Sequence, residues 1–256
     1  MSVTFRSLAA AVVTSALVGA LAGNLAHAAE LRVVSGNGAR AAVQELVSQF
    51  ERASGHKVAL HFEVNAALRR KIEAGEAFDV AVLNPPVLDA LIKAGKVVAD
   101  TRAEIGRAGL GVAVRAGAPK PDIGSVEAFK RTLLSAKSVA YPGEGASGVY
   151  FVSVVERLGI MAEMKPKLRP MAAEDTVEVV ARGEADMVVV VSTRISGVEG
   201  VDRVGPLPAE LQTVIGFAAG VGSAAKEPEA AKALVRFLSA PAAAPTLRAK
   251  GVEPAS

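Results

Sequence analysis

The chain has 256 residues, 51% hydrophobic, 4% aromatic and 21% charged, with no cysteine, no tryptophan and three histidines. Its formal net charge is +3 and its isoelectric point about 9.2, a small excess without a Lys/Arg block, so no nucleic-acid partner is expected. A mean hydropathy of +0.35 is too apolar for disorder; the missing cysteine excludes disulfides, thiolate metal sites, a Cys nucleophile and Cys lipidation, and three histidines leave little for a metal centre.

The first residues read as an export signal. Arg6 is the single charge before the uncharged, apolar run Leu8 to Leu21. Ala26-His27-Ala28 then places small residues three and one before Ala29. That pattern predicts a signal peptide over residues 1–28 with an A-x-A cleavage site. The apolar run, roughly 15 residues, falls short of the roughly 20 needed to span a bilayer. No second long apolar stretch follows, so a soluble, monomeric periplasmic protein is expected. The n-region has no twin-arginine pair, which suits export unfolded and without a cofactor.

Beyond the signal, strand and helix patterns alternate. Leu31 to Val34 predicts a strand. Arg40 to Arg52 predicts a helix, with Val43, Leu46, Val47 and Phe50 on one face. Lys57 to Phe62 reads as a strand, Ala66 to Ala74 as a helix stopped by Gly75, Asp79 to Leu83 as a buried strand, and Val87 to Ala94 as a helix closed by Gly95. This βαβαβα order implies a parallel sheet with right-handed crossovers. After a strand at Leu110 to Val114 and a turn-rich stretch at Gly117 to Pro121, the alphabet repeats. Helices are predicted from Ser125 to near Leu134, Ser147 to Leu158, Thr176 to Arg182, Glu227 to Leu238 and about Ala242 to Ala249. Strands are predicted at Ser138 to Tyr141, Met187 to Val191 and Thr213 to Val221, with a loop at Gly205 to Pro208. Two α/β lobes follow, residues 29–110 plus about 215–256 and residues about 111–214, with a ligand cleft between them.

The loops carry the candidate chemistry. Gly36-Asn37-Gly38-Ala39-Arg40-Ala41 fits G-x-G-x-x-A, with Glu63 placed as a ribose-binding acid. Three readings stay open: a dinucleotide site, which export argues against; an anion site of backbone N–H groups with Ser35 and Asn37; and a plain tight turn. Asn65, Asn84-Pro85-Pro86, Gly143 to Gly148 and Ala173 to Thr176 precede further helices, each interpretable singly as a cap. Ser54-x-x-Lys57 and Ser223-x-x-Lys226 match S-x-x-K without the partner motifs of a serine acylase. His56 and His61 lack metal spacing, and Glu184-Ala185-Asp186 and Arg69-Arg70-Lys71 suit solvated faces, with one arginine pointing into the cleft as the alternative for the latter. No catalytic residue, metal or cofactor is expected, and the protein is expected not to be an enzyme.

Several segments resemble the periplasmic solute-binding proteins of ABC importers, in particular their molybdate-binding branch. They are Leu31 to Val58, Leu68 to Gly75 with Phe78-Asp79-Val80, Ala146 to Tyr150, Ala173-Glu174-Asp175, and Pro228 to Ala233 through Pro241. The resemblance spans nearly the whole exported part. It implies a two-lobed type II binding-protein fold, each lobe a mainly parallel sheet flanked by helices, closing on a small anion and docking an inner-membrane permease. It places ligand contacts at Ser35, Gly36, Asn37, Gly38 and Asn65 from one lobe and Ser147, Gly148, Thr176 and Thr193 from the other. The chain departs from the molybdate pattern: Gly38 and Asn65 stand where serines are expected, and Val191 stands where a tyrosine is expected. The ligand therefore stays open between a molybdate-like oxyanion and a small organic acid. Arg194 would favour a carboxylate if it faced the cleft and is a surface residue otherwise. A periplasmic sensor without an importer and an exported hydrolase are the alternatives.

Overall fold

The computed structural model describes residues 28–255; the predicted signal peptide falls, except for Ala28, outside the described residues. The first half is built as the sequence predicts. β1 (Glu30–Gly36) leads through a short turn into α1 (Arg40–Ser54), whose Val43, Leu46, Val47 and Phe50 are all buried. The 3.6-residue period thus lays one apolar face on the sheet. Gly55 closes α1 at φ 76°, its N–H donating to the Glu51 carbonyl, a backbone region that other residues adopt at a cost. β2 (Lys57–Glu63), α2 (Asn65–Glu73), β3 (Val80–Leu83) and α3 (Pro85–Lys93) follow. β1 is hydrogen-bonded in parallel to both β2 and β3.

β4 (Ala103–Arg115) is the long strand of the fold. Next come α4 (Val126–Ser135), β5 (Val139–Pro142), α5 (Ala146–Arg157), α6 (Met161–Met164), β6 (Leu168–Met171), α7 (Glu178–Ala181), β7 (Met187–Val191) and β8 (Val201–Pro206). Ser125 caps α4 by accepting from the Ala128 N–H at 3.2 Å, so the Ser-x-x-Ala start functions as a single cap. β9 (Val214–Val221), α8 (Pro228–Ser239), α9 (Ala244–Ala249) and β10 (Glu253–Pro254) complete the chain. The strand order is β2-β1-β3-β9-β4-β7-β5-β6, with β8 and β10 also pairing with β4.

Within this order β1–β3 are parallel, as are β5–β7, which matches the predicted character. Antiparallel pairing enters through β4 and β9. Ala103–Gly109 of β4 pairs with β9, and Leu110–Arg115 pairs with β7 and β8. The predicted strand at Leu110 to Val114 is therefore only the second part of β4. Gly106 and Gly109 hide the first part, because glycines carry no alternation to read. Val201–Pro206 is an edge strand where a loop was expected at Gly205. β6 was missed because Leu168-Arg169-Pro170-Met171 contains a proline, tolerated where a strand sits at the sheet edge. The helix predicted over Thr176 to Arg182 shrinks to one turn, since the Thr176 hydroxyl bonds the Ala172 carbonyl at 2.7 Å.

Two polar contacts hold the strand arrangement. Asp79, 2% exposed, accepts from the Arg32 N–H at 2.7 Å and the Lys226 N–H at 3.0 Å, joining β1, the entry to β3 and the exit from β9. Gln212 stands where β4 changes neighbours. Its Oε1 accepts from the Leu110 N–H at 2.8 Å, and its Nε2 donates to the Leu110 carbonyl at 2.9 Å. A side-chain amide here does what an adjoining strand does elsewhere. Gln212→Ala leaves a core-strand N–H without this partner and is expected to cost about 2–3 kcal/mol. Thermal denaturation checks this, with a midpoint drop of roughly 4–12 °C.

Candidate functional site

A cleft lies where the starts of α2, α3 and α5 and the loop after β1 converge on β7 and β9. Its space is about 550 Å³ when counted out into the solvent at its mouth. Of the nine predicted contacts, Gly36, Asn37, Gly38, Asn65 and Ser147 line it. Ser35, Gly148, Thr176 and Thr193 do not line it.

On one side, Asn37 is buried and its Oδ1 accepts from Arg40 Nη2 at 2.7 Å, so the amide N–H groups are its remaining donors. Asn65 is the first residue of α2; Val64 is the N-cap and no side-chain cap is made. The Asn65 Oδ1 instead accepts from the Asn84 N–H at 2.9 Å, and the Asn84 amide donates to the Gly216 carbonyl at 2.8 Å. Asn65 also packs so closely on Gly36 that a Cβ there would lie 2.6 Å from its Nδ2. Asn65 and Asn84 are thus fixed by packing and hydrogen bonding as they reach the cleft wall.

On the other side, Gly145, Ala146 and Ser147 line the cleft at the start of α5, a twelve-residue helix. The first N–H groups of a helix have no intrahelical partner and carry the positive end of its dipole. Arg194 lines the cleft as well, its side chain 15% exposed, so the surface alternative is excluded. Its Nη2 donates to the Ala173 carbonyl at 3.0 Å and lies 3.6 Å from Glu178 Oε1.

The remaining predicted contacts serve the fold. The buried Ser35 hydroxyl donates to the Gly36 carbonyl at 3.2 Å. A side chain at Gly148 would collide with the Pro142 carbonyl, so glycine is needed there to seat α5 on β5. The Thr193 hydroxyl donates to the Gly38 carbonyl at 2.7 Å, tying the turn after β7 to the loop after β1. Tyr150 points elsewhere, its hydroxyl donating to the Leu211 carbonyl at 3.2 Å. Glu63 pairs with Lys71 at 2.6 Å, not with a ribose position. Ser54 and Ser223 donate to backbone carbonyls, and His56 accepts from the Ala29 N–H. Arg69 and Arg70 pair with Glu73 and Glu144 at the surface. Among the described residues no cluster of three His, Cys, Asp or Glu suits a metal ion.

Two residues were missed by the sequence reading, Phe217 and Arg40, while Asn84 was read singly as a cap. Arg40 opens α1, where the helix dipole disfavours a cation and no acidic residue stands in the first turn. That local misfit was the available signal. The Arg40 guanidinium lies 4.5 Å over the Phe62 ring. Burial, and then the like charge of Arg194, hold it below its ordinary pKa, against Glu174 and Glu178. Arg40, behind Asn37, is thus within electrostatic reach of Arg194. In the cleft wall itself, Arg194, the α5 N-terminus and asparagine amides can donate hydrogen bonds to an anion.

A model of the bacterial extracellular solute-binding protein family matches residues 31–253. The aconitate isomerase of a Pseudomonas species is 34% identical over 230 residues, covering 88% of this chain and 87% of its own. The molybdate-binding protein ModA of Azotobacter vinelandii is 28% identical, covering 88% and 90%. The solved structure of the Azotobacter vinelandii periplasmic molybdate-binding protein superposes with a TM-score of 0.75 at 18% identity, covering 88% of this chain and all of that one. The fold is thus the predicted type II binding-protein fold. The expectation that the protein is not an enzyme is overturned, because the isomerase matches over 88% of this chain at 34% identity. By the match over residues 31–253, the chain is a ModA-like member of the bacterial extracellular solute-binding protein family.

Proposed function

We propose that this protein binds a small polycarboxylate, aconitate, outside the cytoplasm and interconverts its geometric isomers in the cleft. The observation that carries this reading is Arg194 in the cleft wall with Arg40 behind Asn37. A guanidinium matches a carboxylate in charge and in planar donor geometry. The similarity to an aconitate isomerase supports the substrate and the reaction.

Interconverting the isomers requires the double bond to be lost transiently. A base takes a proton from the neighbouring methylene, spreading negative charge onto a carboxylate, and return of a proton to the far carbon of the allylic anion shifts the double bond and leaves the other isomer. Fixed cations and helix N–H groups around that carboxylate lower the energy of the charged intermediate. In this reading residues 29–110 plus about 215–256 form one lobe and residues about 111–214 the other. The lobes close on the ligand by bending at β4 and β9, which shields it from water. The signal pattern over residues 1–28 and the family match support a periplasmic location.

A second reading is favoured by the 28% identity to ModA: capture of a molybdate-like oxyanion for delivery to an inner-membrane ABC permease. One experiment separates the two. Purified protein lacking residues 1–28 is incubated with cis-aconitate, and the trans isomer is followed by chromatography. Its melting point is measured in parallel with aconitate, citrate, molybdate and sulfate. Appearance of the trans isomer is expected, with stabilisation by aconitate of about 2.7 kcal/mol at 100 times its Kd. That corresponds to a rise of roughly 5–10 °C. Stabilisation by molybdate alone, without isomerisation, overturns the first reading in favour of the second.

Arg194→Ala removes a charge-assisted contact and is expected to weaken aconitate binding by about 2–3 kcal/mol, measured by calorimetry. Asn65→Ala is expected to weaken binding too. It also lowers the melting point by a few degrees, since it frees the Asn84 N–H.

A further inference from the structure

The cleft is polar on one flank and apolar on the other. Val190 and Val191 from β7 and Ile215 and Phe217 from β9 line the apolar flank, and Phe217 is 3% exposed. The ring is fixed from behind. A Cβ at Gly38 would lie 3.0 Å from Phe217 Cε1, 3.4 Å from its Cζ and 3.6 Å from Val191 Cγ1. Gly38 is not among the glycines with positive φ, so its backbone conformation does not demand glycine. A side chain there would instead press on the ring, which would have to give by a few tenths of an ångström. The loop that supplies Asn37 therefore sends no side chain from its next position into the cleft, and an aromatic surface takes that place. The Asn84 amide bound to the Gly216 carbonyl holds this part of β9 at the wall.

A tetrahedral oxyanion presents oxygen in every direction. One oxygen turned to this flank would lose water and gain no donor, at a cost. An organic acid turns carbon to the ring and oxygen to Arg194 and the α5 N-terminus. A planar, unsaturated skeleton offers the ring a stacking face as well. We propose that Phe217 is a specificity-determining residue, receiving the carbon skeleton of the bound carboxylate and discriminating against inorganic oxyanions. This rests on the carboxylate reading of the site given above.

The test is calorimetric binding of aconitate, its saturated analogue propane-1,2,3-tricarboxylate, and molybdate to the wild type, Phe217→Ala, Phe217→Leu and Gly38→Ala. The wild type is expected to bind aconitate more tightly than the saturated acid, and both more tightly than molybdate. Phe217→Ala is expected to lose about tenfold or more in aconitate affinity and to erase the preference over the saturated acid. Its weak molybdate binding should not fall in proportion. Phe217→Leu keeps the apolar bulk and should lose the unsaturated preference alone. Gly38→Ala pushes on the ring and is expected to weaken aconitate by about threefold or more. It carries the test if Phe217→Ala does not fold. Circular dichroism reports folding. Unchanged ligand ratios in a folded Phe217→Ala, or in Gly38→Ala if that variant alone folds, overturn this inference and leave the carboxylate reading standing. A wild type that binds molybdate and neither acid overturns both.

Discussion

Leu110 is where the architecture turns on a single side-chain amide. Up to Gly109, β4 takes its hydrogen bonds from β9; from Leu110 onward it takes them from β7 and β8. A strand that changes neighbours leaves backbone groups without a ladder partner, and buried groups of that kind are costly. Gln212 supplies both an acceptor and a donor to Leu110 and continues into β9 through its own chain. The cleft lies beside this junction. Its walls are loops after β1, β2 and β3 on one side and after β5 and β7 on the other, so β4 and β9 set how far apart the two donor sets stand. The Thr193 hydroxyl on the Gly38 carbonyl is a second tie between those sides.

The elements of the first half were legible because each follows a clean period. Val43, Leu46, Val47 and Phe50 are a helical stripe, and Asp79 to Leu83 a buried run, and the structure uses both as such. Legibility failed where pattern gives way to position. The glycines of β4 erase its alternation, Pro170 hides an edge strand, and Val201–Pro206 is half-buried without a regular face.

The site was legible in its loops and less so in its side chains. Gly36 to Gly38, Asn65 and Ser147 reach the cleft because they sit at strand ends and helix starts, a rule of open α/β sheets that sequence order exposes. Ser35, Thr176 and Thr193 looked equivalent, yet each spends its hydroxyl on a backbone carbonyl. Such local bonds compete with ligand contacts, and a sequence does not say which wins. Arg40 and Arg194 are 154 positions apart in the numbering, and their proximity is a product of folding.

That proximity is the most informative departure from the anion site of backbone N–H groups, Ser35 and Asn37 that the first loop offered. The positive charge of Arg194 disfavours the charged form of Arg40. The fold compensates in part: the Phe62 ring lies under Arg40, Glu178 faces Arg194, and Glu174 lies near enough to act on Arg40. These acids stand toward the loop after β6, and the cleft wall itself is lined by amides, helix N–H groups and Arg194. On the proposed reading a polycarboxylate completes the compensation from the open side. In that reading Arg194 and the helix N–H groups hold the acid groups, while the aromatic flank receives the carbon between them and turns away an inorganic oxyanion.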